Sequence, residues 1–307
     1  MTASQPRTLH IVMSMDCVPP RAAPGIAGPT GWEAARRSMH NFASVLKDEG
    51  LLGTFFVAPE ALKRLGDTVS DLVTESMEPA VLCHPQISNY KAYLGAYDYE
   101  LHREIIHLGQ EIWSDKMGEP ARSFRAGFFS ANDYTYQILC MEGFRQSSVS
   151  LPGRVDAEQY SMWDNAFPFA HHTDPLDRRN AGNMEVYEVP VTSDFEAEDT
   201  GADETFTPPH LRLESPAISD YAEDLIRKHL DRMEAESTDV RVITFVTRNS
   251  VAWGGDDDPH VERLRTLMKK VRGVAEERGL EVAPQTLASL HEEADRVWQE
   301  KRGKSAE

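Results

Sequence analysis

The sequence predicts an α/β protein built on a parallel β-barrel, and three observations predict it. Strand-length apolar runs alternate with helical patterns along the chain, and such alternation with right-handed crossovers implies a parallel sheet. One run, Val240-Arg241-Val242-Ile243-Thr244-Phe245-Val246, is almost continuously apolar, as a sheet covered on both faces requires. Asp16, His84 and Arg125 each stand at or just beyond the end of a run, where a barrel carries its active site.

Strands are expected at residues 9–15, 53–57, 80–83, 123–126, 144–149, 186–191, 240–246 and, with a weaker pattern, 280–283, on strand length and β-branched or aromatic content. Helices are expected at 31–49, 60–65, 99–117, 132–142, 220–236, 259–278 and 286–301 from their apolar periodicity. Pro and Gly cluster at 19–29, which reads as a long loop after the first strand and a candidate lid. Residues 153–185 are irregular and too long for a routine connection, so they are expected to form a rim or carry function. No internal repeat is visible, and the chain after about residue 298 reads as a frayed end.

At 307 residues the chain is ordinary for one barrel, and a globule of that size buries roughly 75% of its unfolded surface. Its hydrophobic fraction of 40% and charged fraction of 27% are those of a soluble globular protein. No apolar run approaches the roughly 20 residues that span a bilayer, and the first residues hold no apolar signal core. A cytoplasmic location and no membrane partner are therefore expected. Cys17, Cys83 and Cys140 are the only cysteines, too few and too scattered for a disulfide framework. A net charge of −18 argues against nucleic acid, since it offers no basic stripe for counterion release. The acidic runs 194–204 and 256–258 read as solvated loops.

Four stretches carry a resemblance to a known family. They are Ser14-Met15-Asp16 ending the first strand, Gly53-Thr54-Phe55-Phe56-Val57, the corner Cys83-His84-Pro85, and Arg125-Ala126-Gly127-Phe128-Phe129-Ser130 leading to Ile138-Leu139-Cys140-Met141-Glu142-Gly143-Phe144-Arg145. Over most of its length the chain resembles the polysaccharide deacetylases, the fourth carbohydrate esterase family. That resemblance implies a distorted (β/α) barrel of seven or eight mostly parallel strands over residues 1–307, and hydrolysis of an N-acetyl or related amide.

The resemblance also implies roles. Asp16 matches the family's general base and Arg125 the arginine that orients it, a task suited to a planar guanidinium that never deprotonates. His84 matches one metal-ligating histidine. Cys17 stands where the family has a metal-binding aspartate, Ala80 where it has a second histidine, and Arg248 where it has the histidine that protonates the leaving amine. A thiolate at Cys17 can bind zinc, and a guanidinium at Arg248 can stabilise an oxyanion although it cannot donate a proton. His171 and His172, near Asp164 and Asp174, are candidates for a replacement ligand or acid. Adjacent strand residues point opposite ways, and His172 is taken as the ligand.

Tyr90, Tyr93, Trp163 and Trp253 follow strand ends and are candidates for stacking on a sugar or aryl ring. Tyr90, Trp163 and Trp253 are taken as the substrate contacts. The implied cofactor is one divalent ion (zinc, cobalt, manganese or iron) held by His84, Cys17 and His172. The implied partner is a small molecule or glycan, a small N-acyl substrate being preferred to a polymer. Two other readings stay open: a metal-independent or repurposed enzyme on the same strand ends, and a non-catalytic barrel that binds a glycan or other ligand.

Overall fold

A computed structural model describes residues 7–197, 205–255 and 257–305. Residues 198–204 of the first acidic run and Asp256 of the second lie outside the described residues.

In chain order the elements are β1 (Thr8–Cys17), α1 (Trp32–Asp48), β2 (Gly53–Val57), α2 (Leu62–Thr74), β3 (Glu78–Cys83), α3 (Tyr99–Met117), β4 (Ser123–Ala126), α4 (Thr135–Met141), β5 (Gln146–Ser147), β6 (Val155–Asp156), β7 (Ser161–Met162), β8 (His171–His172), β9 (Tyr187–Glu188), β10 (Thr205–Phe206), α5 (Ile218–Ala235), β11 (Arg241–Arg248), α6 (Pro259–Glu277), β12 (Glu281–Gln285) and α7 (Leu287–Ser305). The main sheet runs β11-β1-β2-β3-β4-β5-β9-β8, with β12 also paired to β1. Every pair in it is parallel except β8–β9. The fold is the expected distorted (β/α) barrel.

The distortion lies between β9 and β11, where two irregular stretches complete the curl. The Thr192 amide donates to the Thr244 carbonyl at 3.3 Å, the Leu211 amide to Thr192 at 3.0 Å and the Val246 amide to Leu211 at 2.9 Å. β5 and β9 are shorter than the predicted 144–149 and 186–191 because the chain after Ser147 leaves the ladder. The amides of Val149 and Ser150 turn instead to the carboxylate of Glu188, at 2.9 and 2.8 Å.

Alternation along β1 sorts the core into two layers. Leu9, Ile11, Met13, Met15 and Cys17 face outward and pack with Met39, Phe42 and Leu46 of α1. Val12 faces inward with Phe56, Ala80, Leu82, Val189 and Val242, and Leu287, Leu290 and Ala294 of α7 close the same cluster. α7 therefore plugs the end of the barrel where the strands begin. Its first turn is tied there by the Leu287 amide donating to Thr54 Oγ1 at 3.1 Å and the Ala288 amide donating to Glu78 at 3.2 Å.

α2 extends nine residues beyond the predicted 60–65. Leu62, Leu65, Val69 and Leu72 continue one buried stripe through Gly66, and Gly66 is accommodated because the Lys116 side chain lies where a Cβ would point. The irregular stretch after residue 153 carries a small separate sheet, β10-β6-β7. No described helix is long and apolar enough to cross a membrane.

Candidate active site

Period-two alternation brings four of the predicted residues to one end of the barrel. Asp16 ends β1 on the inward face, level with Arg248 at the end of β11, and Arg125 and His84 come from the ends of β4 and β3. Asp16, His84 and Arg248 line one cleft of about 150 Å³ together with Val18, Ile26, Phe128, Phe129, Arg154 and Arg212. Gly25, Ile26 and Ala27 from the Pro/Gly loop form part of its wall.

Arg125 lies behind the cleft, 1% exposed. Its Nη1 donates to Asp16 Oδ1 at 2.8 Å and to Ser14 Oγ at 3.0 Å. Its Nε donates to the Ser148 carbonyl at 3.0 Å and its Nη2 to Ser148 Oγ at 2.8 Å. The guanidinium also lies over the Phe56 ring, 4.1 Å from its centroid, where the ring's negative face supplements the pairing. Burial lowers the pKa of Arg125, and the charge of Asp16 opposes that shift. Four directed bonds fix the guanidinium, and the guanidinium fixes Asp16.

Sequence reasoning missed the support beneath Arg125. Glu188 is fully buried, accepts from Ser147 Oγ at 2.5 Å and from the backbone amides of Val149 and Ser150, and so sets the turn that presents Ser148. Burial raises the Glu188 pKa, an effect its hydrogen bonds oppose. The one signal in the sequence is a carboxylate inside the apolar run Val186-Tyr187-Glu188-Val189.

His84 is 8% exposed, and its ring meets Phe128 edge to face at 5.2 Å. Gly127 leaves the room it occupies: a Cβ there would lie 2.0 Å from the imidazole. His84 Nδ1 is buried without a hydrogen-bond partner. Burial lowers the His84 pKa to about 4, against the opposing charge of Asp16. The folded protein thus binds fewer protons here than the unfolded chain between pH 6.5 and about 4, so His84 withdraws stability as pH falls through that window. The expected result in an NMR pH titration is a His84 imidazole that stays neutral down to about pH 5; a midpoint near the unperturbed 6.5 would contradict it.

The remaining predicted residues are not in the cleft. Cys17 is fully buried on the outward face of β1, opposite Asp16, and cannot reach a metal beside it. Burial and the neighbouring Asp16 charge push its thiol well above its usual pKa. Trp253 packs on Phe42 at 4.6 Å under α1. Trp163 is buried with its indole N–H donated to the Phe129 carbonyl at 2.7 Å. Tyr90 donates to Glu104 at 3.1 Å. Large aromatic surfaces are worth most in a closed core; Phe128 and Phe129 line the cleft in their place. Tyr93 reaches it only indirectly, edge to face with Phe128 at 5.2 Å.

His172 lies beside the α7 plug, away from the cleft. Its Nδ1 bonds the Met184 carbonyl at 2.9 Å, and its Nε2 lies 3.8 Å from Asp295 Oδ1, which is also 3.7 Å from His291 Nε2. Among the described residues these three form the one group able to supply three metal ligands. His171 points away from His172, with Nδ1 on the Phe169 carbonyl at 2.7 Å.

A metal ion does not fit at Asp16. The donors there are Asp16, already held by Arg125, and a single imidazole, while Arg154, Arg212 and Arg248 line the walls with positive charge. Arg154 and Arg212 were also missed. Arg212 was legible in Leu211-Arg212-Leu213, since strict alternation turns the arginine away from two buried leucines.

The sequence matches no family model and no curated protein. Solved structures do resemble it. A protein assigned as a polysaccharide deacetylase from Mycobacterium smegmatis superposes with a TM-score of 0.60 at 16% identity, over 98% of this chain and 94% of that one. An allantoinase, PuuE, gives 0.58 at 11% identity over 94% and 90%. A protein assigned as a polysaccharide deacetylase from Pseudomonas aeruginosa PAO1 gives 0.55 at 12% identity over 95% and 91%. At these identities the likeness is one of fold.

Proposed function

We propose that this chain, which has the polysaccharide deacetylase fold, is a hydrolase that cleaves a C–N bond in a small amide or ureide, with no metal held at Asp16. The observation that carries the reading is the 2.8 Å bond from buried Arg125 to Asp16, which holds a carboxylate in place and aimed at the cleft. An ionised carboxylate in fixed geometry is what a general base requires. Asp16 takes a proton from the attacking water and passes it to the nitrogen as the C–N bond breaks. Arg248, paired with Glu214 at 3.1 Å yet reaching the cleft wall, meets the charge that develops on the carbonyl oxygen. Neutral His84 holds an N–H for the same oxygen. Neighbours that share the fold are named as polysaccharide deacetylases and an allantoinase, and amides and ureides are the classes we would test.

The test is a turnover screen of N-acyl amines and cyclic ureides, with and without chelator. Hydrolysis that survives chelation supports the reading, and hydrolysis abolished by chelation and restored by metal at Asp16 overturns it.

A divalent ion is placed by this reading at His172, His291 and Asp295, apart from the chemistry. With Nδ1 of His172 occupied by a carbonyl, its Nε2 is free to ligate. The expected result with added zinc is about one ion per chain in wild type and in Asp16→Asn, lost in His291→Ala, measured by inductively coupled plasma mass spectrometry. No uptake by the wild-type protein, or loss in Asp16→Asn, would contradict it.

A further inference from the structure

We infer that the cleft binds a carboxylate group on its ligand through Arg154, Arg212 and Arg248, so that the substrate is a small N-acyl or N-carbamoyl acid. The substrate half of this rests on the hydrolase reading above; the anion site does not.

Three arginines reach this cleft from three separate parts of the chain: the stretch before β6, the segment that closes the barrel, and the end of β11. With Arg125 behind them there are four guanidinium groups. Their carboxylate partners are Asp16, Asp156 and Glu214. Arg154 Nη2 donates to Asp156 at 3.2 Å, Arg212 Nη1 donates to Glu214 at 2.9 Å, and Arg248 shares that same Glu214 oxygen. Asp16 and the buried Glu188 both act on Arg125, so the three arginines that line the cleft share two carboxylates, Asp156 and Glu214, in a chain whose net charge is −18. Like charges are crowded here at a cost. After burial, the charge of Arg212 is among the influences that lower the pKa of both Arg125 and Arg154.

Some of the hydrogen-bonding capacity is also unspent. Arg154 Nε is buried without a hydrogen-bond partner. Arg248 Nε lies 3.1 Å from Glu214 Oε1 but is not aligned to form a hydrogen bond with it. A ligand carboxylate suits this wall, since its two oxygens match a guanidinium fork and two of the lining arginines otherwise share one Glu214 oxygen. Val18, Ile26, Phe128 and Phe129 supply an apolar wall for the rest of a small organic acid.

The test uses calorimetry on the Asp16→Asn protein, which removes turnover, with phosphate titrated into the wild-type protein, which keeps the Asp16 charge. The probes are N-acetylglycine and N-carbamoylglycine, their neutral carboxamides, and inorganic phosphate. The acids are expected to bind at least about tenfold more tightly than the carboxamides and phosphate. Arg212→Gln, and separately Arg154→Gln, are expected to remove most of that preference and leave carboxamide binding unchanged. Failure of the acids to bind, equal binding of acids and carboxamides, or a preference for phosphate would overturn the anion site. Its failure is distinguishable from failure of the hydrolase reading. Wild-type turnover of carboxamides with no acid preference leaves the hydrolase standing, whereas acid binding without turnover of any N-acyl acid leaves only the anion site.

Discussion

Asp16→Asn is expected to lower kcat by about 10²–10⁴-fold, the range that a positioned general base contributes, while ligand affinity stays close to wild type. Asparagine keeps the shape and still offers an oxygen to Arg125 Nη1, now 2.8 Å from the carboxylate, so the cleft keeps its form. It cannot take a proton from water. The comparison separates an enzyme from a binding protein on the same fold, because a binder has no use for a carboxylate whose loss spares affinity. Steady-state kinetics beside calorimetry decides it. Equal turnover in the two proteins would remove Asp16 from the chemistry, and lost affinity with little change in kcat would mark it as a binding residue.

Arg125→Ala is expected to destabilise the fold by about 3 kcal/mol and to remove activity as well. Breaking a buried ion pair costs about 3–5 kcal/mol when the other charge is left stranded. The lower end applies because the Asp16 side chain is 23% exposed and regains some water. The loss also leaves Ser14 Oγ, Ser148 Oγ and the Ser148 carbonyl without their donor, and empties the space over Phe56. Since stability alone could explain lost activity, Arg125→Lys is the informative companion. It keeps the charge and most of the volume but not the fork that grips Ser148. Its melting temperature is expected to recover most of the loss, with kcat still down by about 10²-fold from a misplaced base and KM little changed. Full activity in folded Arg125→Lys, or in any folded Arg125→Ala, would show that the geometry of the pair is not needed.

Much of the site was legible because the signals that carry it are local. Asp16, His84 and Arg125 each sit where an apolar run ends, and all three face inward by alternation. The same alternation, applied within β1, would have turned Cys17 outward: residues 15 and 17 share the face that packs on α1, and residue 16 cannot. Trp163 and Trp253 were misplaced for a different reason. A tryptophan after a strand end suits a binding wall and a core equally well, and only the neighbouring Phe42 and the Phe129 carbonyl decide for the core. His172 looked like a ligand and is one of a possible set, but its partners His291 and Asp295 lie more than a hundred residues away, on a helix whose sequence shows only an ordinary amphipathic pattern.

By itself the sequence determined the parallel α/β barrel and the placement of Asp16, His84 and Arg125 at the ends of apolar runs. These follow from periodicity and residue type, which act over a few neighbouring positions. Only the tertiary structure decided that Glu188 sets the turn presenting Ser148 to Arg125, that α7 plugs the barrel and brings His291 to His172, and that Arg154 and Arg212 enter the same cleft as Arg248. The physical reason is that these arrangements depend on where irregular segments cross the barrel ends. Burial and charge balance among residues distant in the chain place those segments, and no local pattern records them.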